Sequence, residues 1–138
     1  MPRRARRDHV SRTVNPKKQP VVLLVDDESH VLSALRRSLR REAIKVETAG
    51  NAREALAWLA GDSVDLVISD QKMPGMSGID LMKTIRSRWP STRRILLSGW
   101  TSEISKADLN AAGLFCVLAK PWDDAELRHS IRKAVGLK

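Results

Sequence analysis

Apolar residues along this chain form short runs, separated by segments in which the apolar positions have helical spacing. The run Val21 to Val25 is continuous, without the alternation of a half-exposed strand, which is typical of a strand buried on both faces. Four further strands are predicted at 44–48, 64–69, 94–97 and 114–118. The intervening helices are predicted over 29–41, from 51 onward, and over 77–88, 102–111 and 123–135. Asn51 with Glu54, and Asp123 with Glu126, have the spacing of helix-capping pairs.

Strands that alternate with helices in this way favour right-handed crossovers and one parallel sheet covered by helices on both faces. The 138 residues are enough for one such α/β domain and too few for two of ordinary size. In a sheet of this kind, functional groups gather at the carboxyl ends of the strands. The residues that directly follow each apolar run are therefore the first candidates for chemistry.

Polar side chains follow four of the five predicted strands. Asp26 and Asp27 follow the first strand, Asp70 the third, Ser98 the fourth and Lys120 the fifth. Each residue alone has an ordinary structural interpretation as a turn, a helix cap or a solvated side chain. Their coincidence at equivalent strand ends favours a shared site, because all of them would converge at one edge of the sheet.

The residue types suggest the chemistry of that site. Carboxylates held together repel one another, and a hard divalent cation such as Mg²⁺ relieves the repulsion. The absence of His and Cys among these positions argues against zinc. A carboxylate such as Asp70 can attack phosphorus to give an aspartyl phosphate. Lys120 would balance the phosphoryl charge, and Ser98 would offer a hydroxyl to a phosphate oxygen.

Four motifs make the chain resemble the receiver domain of bacterial two-component response regulators. They are Val-Asp-Asp-Glu at 25–28, Ser-Asp-Gln-Lys-Met-Pro-Gly-Met-Ser-Gly at 69–78, Leu-Ser-Gly at 97–99 and Lys-Pro-Trp at 120–122. The resemblance extends from Val21 to about Val135. It implies a single doubly wound, flavodoxin-like (βα)5 domain with a five-stranded parallel sheet.

The resemblance also implies a role for each site residue. Asp70 would be the phosphoacceptor, Ser98 the switch hydroxyl and Lys120 the phosphate-binding lysine, with a cis peptide bond before Pro121. Asp27 would coordinate Mg²⁺ directly, Asp26 mainly through water, and the main-chain carbonyl of Lys72 would be a further ligand.

The implied function is phosphorelay signalling. A sensor histidine kinase or a phosphotransfer protein would supply the phosphoryl group, and the domain would act as a switch rather than as an enzyme. An output domain would lie C-terminal to this chain, or the receiver would stand alone. The Leu-Ser-Gly-Trp and Lys-Pro-Trp segments look like those of receivers attached to hydrogenase-type transcriptional regulators or cyclic-dinucleotide phosphodiesterases.

Two features depart from the receiver pattern. Val117 stands where receivers usually carry an aromatic residue, three positions before the lysine. Phe115 would point to the same side of the strand as Val117, so it either substitutes for that aromatic or is a core residue of the sheet face. Lys72 and Trp100, two positions after Asp70 and Ser98, either shield the aspartyl phosphate from water or lie on the surface.

The net charge of +9 is concentrated at the N-terminus. Residues 1–20 carry seven basic groups and one acidic group, a balance of +6, and contain three prolines without apolar periodicity. They are predicted to be a flexible basic arm, with the receiver domain at 21–138. A rival function is nonspecific contact of the arm with nucleic acid or other anions.

Two more rival functions, and the cellular location, can be weighed from residue types. A flavodoxin-like cofactor binder would need a phosphate-cradling loop where Asp26, Asp27 and Glu28 stand. A degenerate receiver would lack one of the five site groups, and none is missing. The lone thiol of Cys116 suits the cytoplasm, and no apolar run is long enough for membrane insertion.

Overall fold

A computed structural model of the chain describes residues 19–99 and 104–137. Strands and helices alternate through these ranges, as the sequence predicts. The strands are β1 (Val21–Val25), β2 (Lys45–Ala49), β3 (Leu66–Asp70), β4 (Arg93–Ser98) and β5 (Cys116–Ala119). The helices are α1 (Ser29–Ser38), α2 (Ala52–Gly61), α3 (Gly78–Arg88), α4 (Lys106–Ala112) and α5 (Asp124–Val135).

All strand pairs are parallel, and the strand order is β2-β1-β3-β4-β5. The order reverses direction between β1 and β3, which is the place where a doubly wound sheet opens a crevice at its carboxyl edge. Side chains alternate across the sheet, so each strand contributes to two apolar layers. One layer packs against α1 and α5, and the other against α2, α3 and α4. The predicted fold class is confirmed.

Capping side chains mark the starts of α2, α3, α4 and α5, whereas α1 begins without a side-chain cap. Asn51 accepts a hydrogen bond from the backbone N–H of Glu54 at 2.8 Å, and Asp123 accepts one from that of Glu126 at 2.8 Å. Each cap satisfies a backbone donor that the first helical turn leaves without a partner. The predicted caps of α2 and α5 are therefore confirmed.

Element boundaries differ from the predictions by one to four residues. The predicted first helix extended to 41, whereas α1 ends at Ser38 because Leu39 already leaves helical geometry, with φ −106° and ψ 4°. Strands β2, β3 and β5 begin one to two residues later than their apolar runs. The α4 helix begins at Lys106, capped by the Ser105 hydroxyl. The proposed start at 102, Trp100 and residues 1–18 of the predicted arm lie outside the described residues.

Two arginine side chains anchor the C-terminal end of α4. Arg86 of α3 donates to the carbonyl oxygens of Asn110 and Ala111, at 2.8 and 3.1 Å. Arg94 of β4, which is buried, donates to the carbonyl oxygens of Ala112 and Gly113, both at 3.0 Å. These cations complement the negative end of the helix and satisfy carbonyls that lack a partner within it.

Candidate functional site

Strand register brings the predicted site residues to one level of the sheet. Val25 pairs with Ser69, and Asp70 pairs with Leu97, so Asp26 and Asp70 emerge side by side. On the other side of β3, Ser98 pairs with Ala119, directly before Lys120. The backbone N–H of Lys120 donates to the carbonyl of Ser98 at 3.3 Å, which extends the ladder to the site.

Three carboxylates converge at this edge. Asp26, Asp27 and Asp70 each offer an oxygen, and these oxygens lie within 4.8 Å of one another. Asp26 is fully buried and Asp70 is buried, whereas Asp27 is exposed. One oxygen of Asp26 accepts from the backbone N–H of Glu28 at 2.9 Å, which fixes its orientation.

Lys120 provides a cation to two of these carboxylates. Its Nζ lies 3.0 Å from Asp70 Oδ1 and 3.3 Å from Asp26 Oδ2. The peptide bond between Lys120 and Pro121 is cis, as the resemblance implied. One ammonium against three carboxylates leaves the cluster with an excess of negative charge.

The pKa shifts reflect this imbalance. Burial raises the pKa of Asp70, and the charge of Asp26 adds to the increase, although the hydrogen bond from Lys120 opposes it. Burial alone would lower the pKa of Lys120, but its contacts with Asp70 and Asp26 outweigh that effect and raise it. Lys120 is therefore held as an ammonium, while Asp70 carries a charge that its surroundings compensate incompletely.

The donor set fits a hard divalent cation. All three groups are carboxylates, and an added cation would relieve the repulsion that Lys120 leaves. Within the described residues this is the cluster whose geometry could hold a metal ion. Beside it opens a cavity of about 310 Å³, with room for a phosphoryl group. The cavity is lined by Asp27, Glu28, Asp70, Gln71, Lys72, Ser98, Gly99 and Lys120.

Gln71 positions the loop beside the cavity, and sequence reasoning did not single it out. Its side-chain oxygen accepts from the backbone N–H of Ile79 at 2.8 Å, and its carbonyl accepts from Gly78 at 2.9 Å. Its own N–H donates to the carbonyl of Leu97 at 3.1 Å. The feature of the sequence that could have identified Gln71 is its position directly after Asp70.

The interpretation of Phe115 as a neighbour of Val117 on the same face is wrong. Val117 packs against the layer formed by α2, α3 and α4, whereas Phe115 packs against the layer formed by α1 and α5. Phe115 precedes the first residue of β5, so strand alternation does not extend to it. The guanidinium of Arg93 lies over its ring at 5.4 Å from the centroid, which supports the packing role.

Comparisons with known proteins agree with this geometry. The family model described as response regulator receiver domain matches residues 22–132. The chain is 43% identical over 119 residues to the hydrogenase transcriptional regulatory protein HoxA of Cupriavidus necator, covering 86% of this chain and 24% of that protein. It is 33% identical over 116 residues to the response regulator protein PilR of Pseudomonas aeruginosa, covering 84% of this chain and 26% of that protein.

Solved structures show the same similarity. The signal receiver domain of an HD domain-containing protein from Pseudomonas fluorescens Pf-5 superposes with a TM-score of 0.82. It is 38% identical, and the match covers 86% of this chain and 88% of that one. A CheY-like receiver domain protein from Methanospirillum hungatei JF-1 superposes with a TM-score of 0.77 at 26% identity, covering 86% and 94% of the two chains. The chain spans about a quarter of the length of the curated relatives that it matches.

Proposed function

The chain belongs to the response regulator receiver domain family, and on that premise we propose that Asp70 is its phosphoryl acceptor. The observation that carries the proposal is the convergence of Asp26, Asp27, Asp70 and Lys120 beside a cavity that Ser98 also lines. Asp70 is the carboxylate that Lys120 contacts most closely. It also ends the strand at the centre of the sheet.

Mg²⁺ is the cation that we assign to the carboxylate cluster. Asp26, Asp27, Asp70 and the main-chain carbonyl of Lys72 would hold it, with Asp27 binding directly and Asp26 mainly through water. When bound, the ion supplies Lewis-acid stabilisation of the negative charge on the transferred group. The all-oxygen donor set and the uncompensated negative charge support this assignment.

In the transfer step, a carboxylate oxygen of Asp70 forms a bond to phosphorus. The bond from phosphorus to the donor breaks, and the leaving group departs with the electron pair. The donor is a phosphohistidine of a sensor kinase or phosphotransfer protein, or a small acyl phosphate. Lys120 balances charge on the phosphoryl oxygens, and the hydroxyl of Ser98 donates a hydrogen bond to one of them.

Phosphorylation changes the state of the domain itself, so the domain would act as a switch rather than convert a separate substrate. The signal would pass to an output domain or a separate target protein, in the cytoplasm. We propose that residues 21–138 act as the switching domain and residues 1–20 as an arm outside it. Val117 is too short to swing between two positions, and its β-branch restricts χ1, so we assign the rearrangement to the segment after Ser98 and to the start of α4.

Phosphorylation of the Asp70→Asn variant provides the test. With Mg²⁺ and a small acyl phosphate, the unsubstituted protein should gain one acid-stable, base-labile phosphoryl group, and Asp70→Asn should gain none. Asp80→Asn is the matched control, because Asp80 is exposed in the first turn of α3 and outside the carboxylate cluster. Stoichiometric labelling of the Asp70→Asn variant would contradict the assignment.

A further inference from the structure

Trp122 lies two residues after Lys120 and is hydrogen-bonded to two other elements. Its indole Nε1 is 3.2 Å from the hydroxyl oxygen of Ser38, at the end of α1. It is also 3.1 Å from Oδ1 of Asp124, the first residue of α5. The Ser38 hydroxyl and the same Asp124 oxygen are 2.6 Å apart, so the three side chains form a closed triangle, the polar latch.

Donor and acceptor chemistry fixes the direction of each bond in the latch. An indole N–H only donates, an ionised carboxylate only accepts, and a hydroxyl does both. Asp124 is therefore the common acceptor, and Ser38 accepts from Trp122 while donating to Asp124. Ser38 is also 3.2 Å from the carbonyl of Ala34, but the shorter contact to a charged acceptor is the stronger one.

The latch is formed when Asp124 is ionised. The hydrogen bond from Ser38 lowers the pKa of Asp124, and the hydrogen bond from Trp122 and the charge of Arg128 lower it further. The carboxylate is therefore charged at neutral pH, where the two hydrogen bonds are at full strength.

The latch holds the segment between β5 and α5, which contains Lys120. Upstream, the Lys120 N–H donates to Ser98, and downstream Asp123 caps α5. Between these points, Trp122 is half-buried against the apolar layer of α1 and α5 and is hydrogen-bonded to both helices. The backbone two residues from the Lys120 ammonium is thereby held against α1.

We propose that Trp122 is a positioning residue for phosphoryl transfer. The polar latch holds the segment after β5, so that the ammonium of Lys120 stays between Asp26 and Asp70. The inference rests on the proposed function, because its readout is phosphorylation of Asp70.

A second contact between the same two parts of the fold serves as the control. Arg132 binds Glu42 through two hydrogen bonds of 2.7 and 2.9 Å, and it also ties α5 to the turn that follows α1. Arg132 lies eight positions after Asp124, about 12 Å further along α5. Loss of this pair would loosen the same packing without acting on the Lys120 connection.

The experiment compares rates of labelling by a small acyl phosphate with Mg²⁺. Trp122→Phe keeps the ring and removes the N–H, and Ser38→Ala removes the hydroxyl. Each variant should lower the rate constant by about tenfold. This loss is smaller than the loss of about 100-fold that a misplacement of 1 Å can cause. The double variant should lose little more than either single variant, because both changes open the same latch.

Rescue and control variants separate positioning from stability. Ser38→Thr retains a hydroxyl and should recover most of the rate, whereas Glu42→Gln should retain the wild-type rate despite a lower unfolding temperature. If a folded Trp122→Phe variant were labelled at the wild-type rate, the positioning role of Trp122 would be overturned, while the proposed function would stand. The same would follow if Glu42→Gln lost as much rate as Trp122→Phe. Equal labelling of the wild type and Asp70→Asn would overturn the proposed function, and the latch role with it.

Discussion

Gly78 tests whether the phosphoacceptor strand and α3 must approach as closely as the structure indicates. A Cβ atom at this position would lie 2.2 Å from the main-chain oxygen of Asp70 and 2.9 Å from Cδ1 of Leu96. The first distance is far below ordinary contact, and the obstacle is backbone. Gly78→Ala therefore requires either the start of α3 or the end of β3 to move by about 1 Å.

The expected loss of folding stability depends on how firmly the two backbone segments are held in place. Both ends of the contact are held, because Gly78 donates to the carbonyl of Gln71 and Gln71 donates to Leu97 of β4. Overpacking of this kind costs about 1–3 kcal/mol, and a backbone obstacle places Gly78→Ala at the upper end. A loss of about 3 kcal/mol would lower the Tm of a domain of this size by roughly 10 °C.

Thermal and denaturant unfolding of Gly78→Ala, with Gly99→Ala as the matched control, would measure this effect. In Gly99→Ala the new Cβ would lie 3.5 Å from the carbonyl oxygen of Lys120, an ordinary contact, so its stability should change little. Gly78→Ala should also be phosphorylated more slowly, because Asp70 is the displaced residue. An unfolding midpoint equal to that of the wild type would refute the reasoning.

Three further predictions concern the metal, the pH dependence of stability and the N-terminus. Asp27→Ala should weaken Mg²⁺ binding more than Asp26→Ala does, and equal, small effects in a Mg²⁺ titration would contradict direct binding by Asp27. The hydrogen bond from Arg132 lowers the pKa of Glu42 in the folded protein. The ion pair therefore stabilises the fold fully above the ordinary glutamate pKa of about 4.3, and this stabilisation is lost as the pH falls through the lower pKa of the folded state. The difference in Tm between the wild type and Glu42→Gln should therefore be measurable at neutral pH and shrink as the pH falls below the ordinary glutamate value, and a constant difference would argue against the ion pair. Deletion of residues 1–20 should leave the phosphorylation rate and the Tm nearly unchanged, and unfolding of the shortened chain would assign the arm to the domain.

The sequence predicted the fold because both of its determinants are local. Continuous aliphatic runs such as Val21 to Val25 indicate strands buried on both faces, and caps such as Asn51 mark helix starts. The convergence of Asp26, Asp70 and Lys120 was predictable for a related reason. Parallel strands end at a common edge, so a polar residue after each strand is placed without knowledge of any side-chain contact.

Side-chain geometry across elements was not predictable in this way. The polar latch joins Ser38 to Trp122 across 84 positions of sequence, and neither residue carries a pattern that points to the other. Phe115 was assigned to the face of Val117 because alternation was extended one residue beyond the start of β5. Both depend on where backbone segments turn, which periodicity determines only to within a few residues.

The arginine anchor at the C-terminal end of α4 gives this helix a pivot. Arg86 and Arg94 together hold four consecutive carbonyl groups there, and Lys83 adds an ion pair of 2.6 Å to Asp108 in the first turn. A helix of seven residues is a lever about 10 Å long. A displacement of about 1 Å at its N-terminal end would tilt it by about 6° around the anchored end. Because Lys83 and Asp108 are both solvent-accessible, their ion pair would oppose such a tilt only weakly, so the helix is held more firmly at its C-terminal end than at its N-terminal end.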